Sequence, residues 1–106
     1  MEKSPERPAS DPVLSLVSMA RKAGTVKCGT FLTEEAVRNK KARLVVFAED
    51  MSLREAKDLR ALCERNDIPF IIRGTKETLG NSTGKGLTAC VAVIDENLSR
   101  GILKKI

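Results

Sequence analysis

Residues 38–50 decide the fold and read Arg38-Asn39-Lys40-Lys41-Ala42-Arg43-Leu44-Val45-Val46-Phe47-Ala48-Glu49-Asp50. Four cations precede five consecutive apolar residues, and two acids follow them. A short, unbroken apolar run rich in β-branched residues is typical of a strand that is buried on both faces of a sheet. The pattern therefore predicts a central strand with helices over both faces, and a sheet with one basic and one acidic end. The basic end is a candidate surface for anions, including nucleic acid.

The length and composition indicate one small domain. The chain has 106 residues, of which 42% are hydrophobic and 31% charged, and it contains no Trp, Tyr or His. A chain of this size has room for a single core. Without His it lacks the commonest general base of enzymes and a common metal ligand. We expect a disordered leader at residues 1–10, which hold two prolines and mixed charge, and a single domain at residues 11–106.

The positive charge is concentrated in one segment. The net charge is +5, and residues 21–43 hold seven Lys or Arg against two Glu, which accounts for the same +5. A concentrated basic segment is a candidate contact for polyanions. Runs of charged residues also form ordinary solvent-exposed faces, and the composition alone favours neither interpretation.

The cysteines and the absent residue types limit the function further. Cys28, Cys63 and Cys90 are far apart, and neither a Cys-x-x-Cys pair nor a His is present, which argues against zinc. Free thiols suggest a reducing compartment, and no segment approaches the roughly 20 apolar residues of a membrane span. No Ser or Cys has a recognisable base. We expect a cytoplasmic, monomeric, non-catalytic protein without metal, cofactor or membrane contact.

Helix and strand signals alternate along the domain. Asp11 and Pro12 suit the N-cap and first position of a helix, and strands are expected near residues 26–28, 43–48, 70–72 and 89–94. Helices are expected between these strands: from about 30 to 39 with Thr30 as N-cap, after Ser52 with Leu53 on its apolar face, and over 76–81. A last helix follows at 96–105. This alternation predicts an α/β fold with helices on both faces of a four-stranded sheet that is not all parallel.

Two glycine-containing motifs allow alternative interpretations. The stretch Gly80-Asn81-Ser82-Thr83-Gly84-Lys85-Gly86 departs from a phosphate loop, because three residues instead of four separate its first two glycines and Gly follows the Lys. It is either a helix C-cap at Gly80 with a flexible turn, or a loop that approaches RNA with Lys85 on a phosphate. The acid pairs Glu34-Glu35 and Glu49-Asp50 are interpreted as residues of helix termini and not as catalytic pairs.

The junction Gly29-Thr30-Phe31 is the second such motif. Backbone N–H groups at a helix N-terminus can bind an anion without side chains. An exposed Phe31 could stack on an unpaired base, whereas a buried one would belong to the core of the second helix. The sequence favours neither position for Phe31.

Several motifs together resemble a known family. They are Ala20-Arg21-Lys22-Ala23-Gly24, residues 41–46 with 48–50, Cys63 with Ile68-Pro69, residues 75–80 with Gly84-Lys85, and residues 92–96. In their order and spacing they resemble the kink-turn-binding ribosomal protein superfamily of L7Ae and its relatives, especially the small bacterial YlxQ-type members. The resemblance implies a three-layer α/β/α sandwich around a four-stranded mixed sheet. It also implies non-catalytic binding to structured RNA, kink-turn-like or ribosomal.

The resemblance further implies a contact surface at residues 29–35 and 85–88. The RNA-binding residues that we predict are Lys27, Gly29, Thr30, Phe31, Leu32, Glu35, Arg38, Lys41, Lys85, Gly86, Leu87 and Thr88. The four cations and the N–H groups of Gly29 and Thr30 would hold phosphates, and the three apolar side chains would contact bases.

The chain also departs from the family pattern. Kink-turn binders usually carry Asn-Glu followed three residues later by Lys, where this chain has Phe31-Leu32 and then Glu35. We therefore expect weak binding to a standard kink-turn. The alternative is a ribosome- or transcription-associated adaptor on the same fold, in which exposed Phe31 and Leu32 dock a protein.

Overall fold

The computed structural model describes residues 11–106, so the leader predicted at residues 1–10 lies outside the described part of the chain. Helices and strands alternate through it as α1 Pro12–Lys22, β1 Val26–Cys28, α2 Thr30–Arg38, β2 Leu44–Phe47, α3 Leu53–Arg65, β3 Phe70–Ile72, α4 Lys76–Thr83, β4 Cys90–Val93 and α5 Glu96–Leu103. Every predicted helix and strand is present in the predicted order.

The strands of residues 11–106 form one mixed sheet with the order β1-β4-β2-β3. β4 pairs antiparallel with both β1 and β2, whereas β2 and β3 are parallel and are connected through α3. All four residues of β2 and all four of β4 are buried. The predicted central strand is thus confirmed, and β1 and β3 form the two edges of the sheet.

Helices cover both faces of this sheet. α1 packs against α4 and α5, while α2 packs against α3 and over β1 and β4. The core lies between these layers and includes the largest fully buried side chains, Leu44, Leu59, Leu79 and Ile102. The α/β/α sandwich with a four-stranded mixed sheet is therefore confirmed. Cys63 and Cys90 are fully buried core residues.

Two details of the predicted helices are wrong. Gly80 is not a C-cap: α4 continues to Thr83 and ends at Gly84, whose φ of 71° is the left-handed conformation favoured by glycine. Leu53 does not join the buried face of α3, since 88% of its surface is exposed. Leu53 is the first residue of α3. The inward-facing residues of this helix begin only at Ala56 and Leu59.

Asp11 connects the start of α1 to the end of β3. Its Oδ1 accepts a hydrogen bond from the Val13 amide at 2.9 Å, so it is the N-cap that the sequence predicted. The same carboxylate forms an ion pair with Arg73, whose Nε lies 3.2 Å from Asp11 Oδ2. Both side chains are partly buried, and 62 residues separate them in sequence. This one residue therefore fixes both a helix terminus and a long-range contact.

We expect Asp11→Ala to lower the free energy of unfolding by about 1–2 kcal/mol, because it removes the cap and the ion pair together. Asp11→Asn retains an oxygen for the Val13 amide and should lose only the ionic contact, about 0.2–1 kcal/mol. Urea denaturation of the two variants measures the difference. Equal losses would contradict the capping role.

Candidate nucleic-acid interface

The topology brings the Gly29 junction and the loop before β4 together at one end of the sheet. Cys28 at the end of β1 pairs with Val91 near the start of β4. The Gly29 amide then donates a hydrogen bond to the Cys90 carbonyl at 2.9 Å. Because β1 and β4 are antiparallel, residue 29 and the loop at residues 85–88 are neighbours despite their separation in sequence. The two segments that the family resemblance singled out therefore form one surface.

A groove of about 380 Å³ follows this surface along the outer side of β1, and we call it the β1 groove. Its lining consists of three residues of β1, the start of α2 and the loop before β4, namely Val26, Lys27, Cys28, Gly29, Leu32, Lys85, Leu87 and Thr88. Six of the twelve predicted RNA-binding residues line it. Thr30, Phe31 and Gly86 are immediate chain neighbours of this lining.

The loop at residues 85–88 is held against α4 by a close backbone approach. A Cβ atom on Gly80 would lie 1.9 Å from the Gly86 carbonyl oxygen, so only glycine allows this contact. The Lys85 amide donates to the Gly80 carbonyl at 2.8 Å, and the Thr88 amide donates to the Lys76 carbonyl at 3.0 Å. The Thr88 hydroxyl donates to the Gly86 carbonyl at 2.9 Å. These contacts hold the loop against α4.

The start of α2 leaves backbone donors available. Gly29 is the N-cap, with φ 90° and ψ 163°, a conformation that residues with a Cβ rarely adopt. The prediction of Thr30 as N-cap is wrong, because this glycine turns the chain into the helix one residue earlier. Among the five helices of residues 11–106, α2 is the one without a side-chain cap. The predicted phosphate contact from the Gly29 N–H group is wrong, because this amide is already bonded to the Cys90 carbonyl. The first-turn N–H groups of the helix itself, from Thr30 onward, have no intrahelical acceptor, so they can donate to an anion.

Large apolar side chains lie exposed beside these donors. Phe31 is 74% exposed and Leu87 is 76% exposed, while Leu32 is partly covered and lines the groove. Phe31 is therefore not a core residue of α2, which resolves the alternative that the sequence left open. Exposed aromatic and aliphatic side chains next to cations offer a surface on which unpaired bases can stack.

Arg21 is a cation of this region that the predicted set of site residues omitted. A Cβ atom on Gly84 would lie 2.8 Å from its Nη2, which places the guanidinium against the end of α4, one residue before Lys85. Arg21 lies in the last turn of α1, where a cation is favourable because it faces the negative end of the helix dipole. The remaining signal was its membership of the basic segment at residues 21–43.

Arg38 and Lys41 are not brought to the β1 groove. Arg38 ends α2, and a nine-residue helix places its last residue roughly 12 Å along the axis from its first. Arg43 donates its amide to the carbonyl of Val93, the last residue of β4, so the segment before β2 lies at the opposite end of the sheet. Arg38 also pairs with Glu34 at 3.6 Å. Both predicted cations are exposed, but they belong to a separate surface.

The paired acids have structural positions. Asp50 Oδ1 accepts a hydrogen bond from the Lys76 amide at 2.8 Å, so it supports the start of α4 across the chain. Within residues 11–106, no group of three or more His, Cys, Asp or Glu side chains is placed to hold a metal ion. No helix in this part of the chain is long and apolar enough to cross a membrane.

The buried thiols are poor nucleophiles. Burial, together with smaller effects of the neighbouring Cys90 and Glu64, raises the pKa of Cys63 to about 11. Burial also raises the pKa of Cys90, although hydrogen bonding between its thiol and the Thr33 and Thr30 side chains opposes this. Both side chains are consequently protonated near neutral pH, where the thiolate is the reactive form.

Comparisons with known proteins agree with this architecture. The family model described as the ribosomal protein L7Ae/L30e/S12e/Gadd45 family matches residues 11–103. A solved structure of a protein of unknown function from Bacillus halodurans is 28% identical, with a TM-score of 0.85 over 89% of this chain and 95% of that one. The Giardia lamblia 15.5kD RNA binding protein is 22% identical and shares the fold, with a TM-score of 0.81 over 98% of this chain and 97% of that one.

We expect Gly80→Ala to lower the free energy of unfolding by about 1–3 kcal/mol, because the added Cβ must displace the Gly86 carbonyl. Faster hydrogen exchange at the Lys85 and Thr88 amides should accompany the loss. Gly101→Ala in α5 is the matched control: its Cβ would meet Leu16 at an ordinary 3.6 Å. The control should be neutral or stabilising by up to about 1 kcal/mol. Similar effects of the two substitutions would contradict the role of Gly80 in holding the loop.

Proposed function

This chain belongs to the ribosomal protein L7Ae/L30e/S12e/Gadd45 family, and we propose that it is a non-catalytic protein that binds structured RNA through the β1 groove. The observation that carries the proposal is the convergence in one groove of cations, free helix N–H groups and exposed apolar side chains. The printed name of the Giardia neighbour, an RNA binding protein, supports the same class of ligand. We also propose a cytoplasmic location and a monomeric state.

The proposed phosphate contacts come from side chains and backbone together. Lys27 on β1 and Lys85 on the loop both line the groove, and Arg21 lies beside Gly84. The N–H groups at the start of α2 add dipolar donors at the same end. A phosphate run that follows the outer side of β1 would meet each of these groups.

The proposed base contacts are apolar. Phe31 can stack on an unpaired base, a contact that contributes about 1–3 kcal/mol in single-strand binders. Leu32 and Leu87 extend this surface from the helix and the loop. None of these three side chains can read a base by hydrogen bonds. The RNA is therefore proposed to be selected by its shape and by its extruded bases, as in an internal loop or a ribosomal junction.

Glu35 bears on whether that RNA is a standard kink-turn. It is exposed and lies one turn beyond Phe31 on α2, where kink-turn binders of the family usually carry Lys. A carboxylate at this position repels phosphates and adds none of the attraction that a cation supplies. We therefore propose that the preferred RNA is kinked or looped but differs from a standard kink-turn.

Arg38 and Lys41 are proposed to make a second, peripheral phosphate contact. They lie at the opposite end of the sheet from the β1 groove, so one short internal loop cannot reach both surfaces. A longer RNA whose flanking helix passes along α2 could do so. This division makes the two pairs of cations separable by experiment.

The proposal predicts how the affinity for RNA depends on salt concentration and which cations cause that dependence. Neutralisation of about three phosphates should give a slope of log affinity against log salt of roughly −2 to −3. With a short hairpin containing one internal loop, Lys27→Ala with Lys85→Ala should reduce the magnitude of the slope by about 1.5. Arg38→Ala with Lys41→Ala is the matched control and should leave binding of this hairpin nearly unchanged. A slope near zero for the unmodified protein, or equal losses in the two double variants, would contradict the proposed site.

Glu35→Lys tests the RNA preference. The substitution removes a repulsion and adds an attraction, so affinity for a standard kink-turn should rise by more than affinity for the same RNA straightened by full pairing. The gain should shrink at high salt because screening weakens exposed charges. Strong preference of the unmodified protein for the kinked RNA would refute the inhibitory role of Glu35, and equal gains on both RNAs would place the residue outside the shape-specific contact.

The sequence also suggested an adaptor that docks a protein on Phe31 and Leu32. These side chains are exposed as that function requires. They share their surface with Lys27 and Lys85, however, and the combination favours a polyanion with bases over an apolar protein patch. Salt-tolerant capture of a protein at this site, in place of salt-sensitive RNA binding, would support the adaptor.

A further inference from the structure

A second groove, of about 330 Å³, lies at β3 on the opposite edge of the sheet, and we call it the β3 groove. It is formed by one face of α3 and by the edge strand, and the buried ring of Phe47 forms its floor. Its remaining lining residues are Leu53, Ala56, Lys57, Arg60, Phe70 and Ile72. None of these residues belongs to the β1 groove.

The β3 groove exposes large apolar side chains to solvent. Leu53 is 88% exposed and Ile72 is 62% exposed. Phe70 is partly buried, with its ring centroid 5.2 Å from that of Phe47 and 5.6 Å from the Arg60 guanidinium. A contiguous apolar surface of this kind on a small domain is typical of a binding site.

The backbone of β3 is available on the same side. The Val45 amide donates to the Pro69 carbonyl at 3.0 Å, and the Arg73 amide donates to the Phe47 carbonyl at 2.9 Å. Residues of a parallel strand alternate in the direction of their backbone groups. Those of Phe70 and Ile72 therefore point away from β2, toward the open edge of the sheet. Phe70 and Ile72 thus offer both backbone N–H and C=O groups without a strand partner and apolar side chains that line the groove.

The charged residues that line the β3 groove indicate the chemistry of the ligand that it would bind. Lys57 and Arg60 line the groove, and no acid contributes to its lining among the described residues. The ion pair of Arg60 with Glu64 is long, at 3.9 Å, and both side chains are mostly exposed. Such a pair contributes little, so it leaves Arg60 available to another anion.

We propose that the β3 groove binds an extended segment of a partner protein as an added fifth strand along β3, and that this segment presents both apolar and acidic residues on one face, at every second position. Its backbone would pair with Phe70 and Ile72, its apolar side chains would cover Leu53 and Ile72, and its acids would meet Lys57 and Arg60. This is strand addition to an exposed sheet edge, with side-chain pockets supplying the specificity. The inference does not depend on the RNA-binding proposal.

Charge argues against a second copy of the chain as the occupant. Pairing of β3 with β3 about a two-fold axis would bring the Lys57 and Arg60 side chains of both copies together in one groove. The apolar lining and the contact of Arg60 with Phe70 also favour a peptide over a phosphate backbone. β1 and β3 are separated by two strands, roughly 14 Å across the sheet. Both grooves can therefore be filled at once.

The probe for this test is a synthetic peptide, acetyl-Thr-Ile-Thr-Asp-Thr-Val-Thr-Glu-amide, which as a strand presents Ile, Asp, Val and Glu on one face. Its binding is measured by fluorescence anisotropy and by amide hydrogen exchange. We expect saturable binding and slower exchange of the Phe70 and Ile72 amides. A control peptide with Lys in place of every acid should bind roughly tenfold or more weakly. Absence of binding, equal binding of the two peptides, or protection confined to other strands would overturn the proposal.

Paired variants locate the site and separate it from the RNA surface. Leu53→Ser with Ile72→Thr should weaken peptide binding roughly tenfold or more and leave RNA binding unchanged. Both side chains are largely exposed, so the variant should fold, and its melting temperature checks this. Leu87→Ser should leave peptide binding intact.

Competition and self-association decide between occupants. Displacement of the peptide by RNA would identify the β3 groove as a nucleic-acid surface and overturn the proposal. The unmodified protein could instead dimerise in a concentration-dependent way that the double variant Leu53→Ser with Ile72→Thr abolishes. That result would identify a second copy of the chain as the occupant and would also overturn the proposal. Simultaneous binding of the peptide and RNA by a monomer would support it.

Discussion

The structure depends on the burial of two adjacent strands, β2 and β4, on both of their faces. A strand buried on both faces requires a layer of helices above and below it, so the three-layer arrangement follows from this pair. Because β4 runs antiparallel to both neighbours, its first residue stands beside the end of β1 and the end of β2. The antiparallel placement of β4 therefore brings the Gly29 junction and the loop before β4 into a single surface. The strand order also leaves the short strands β1 and β3 as the edges available to ligands.

A second constraint acts on the loop itself. Residues 85–88 belong to no helix or strand, yet they carry the exposed Leu87 and one wall of the β1 groove. Their position is set by the absent side chain of Gly80 and by hydrogen bonds that return to α4. Binding residues are often carried on loops that a rigid scaffold positions. Here the scaffold is the backbone contact between Gly80 and Gly86, so Gly80 shapes the loop although it does not line the groove.

Local patterns in the sequence were sufficient for the order of elements, because the apolar run at β2 and the caps at Asp11, Ser52 and Thr75 are local signals. Local patterns were insufficient where the position of a residue depends on contacts with residues that are distant in sequence. Arg38 and Lys41 adjoin the predicted site in sequence but lie at the other end of the sheet, which only the strand order determines. The conformation of Gly29 and the close approach at Gly80 likewise arise from tertiary contacts, and residue spacing does not encode them.

The two edges of the sheet also separate the two kinds of binding surface that the sequence had placed together. Phe31 and Leu32 were candidates both for stacking on bases and for docking a protein, and their cationic surroundings in the β1 groove favour bases. The apolar surface with open strand backbone lies instead at β3, where Leu53 and Ile72 are exposed. Because the buried pair β2–β4 lies between the edges, occupancy of one edge need not disturb the other. RNA binding and protein binding are therefore compatible on this fold, each at its own edge strand.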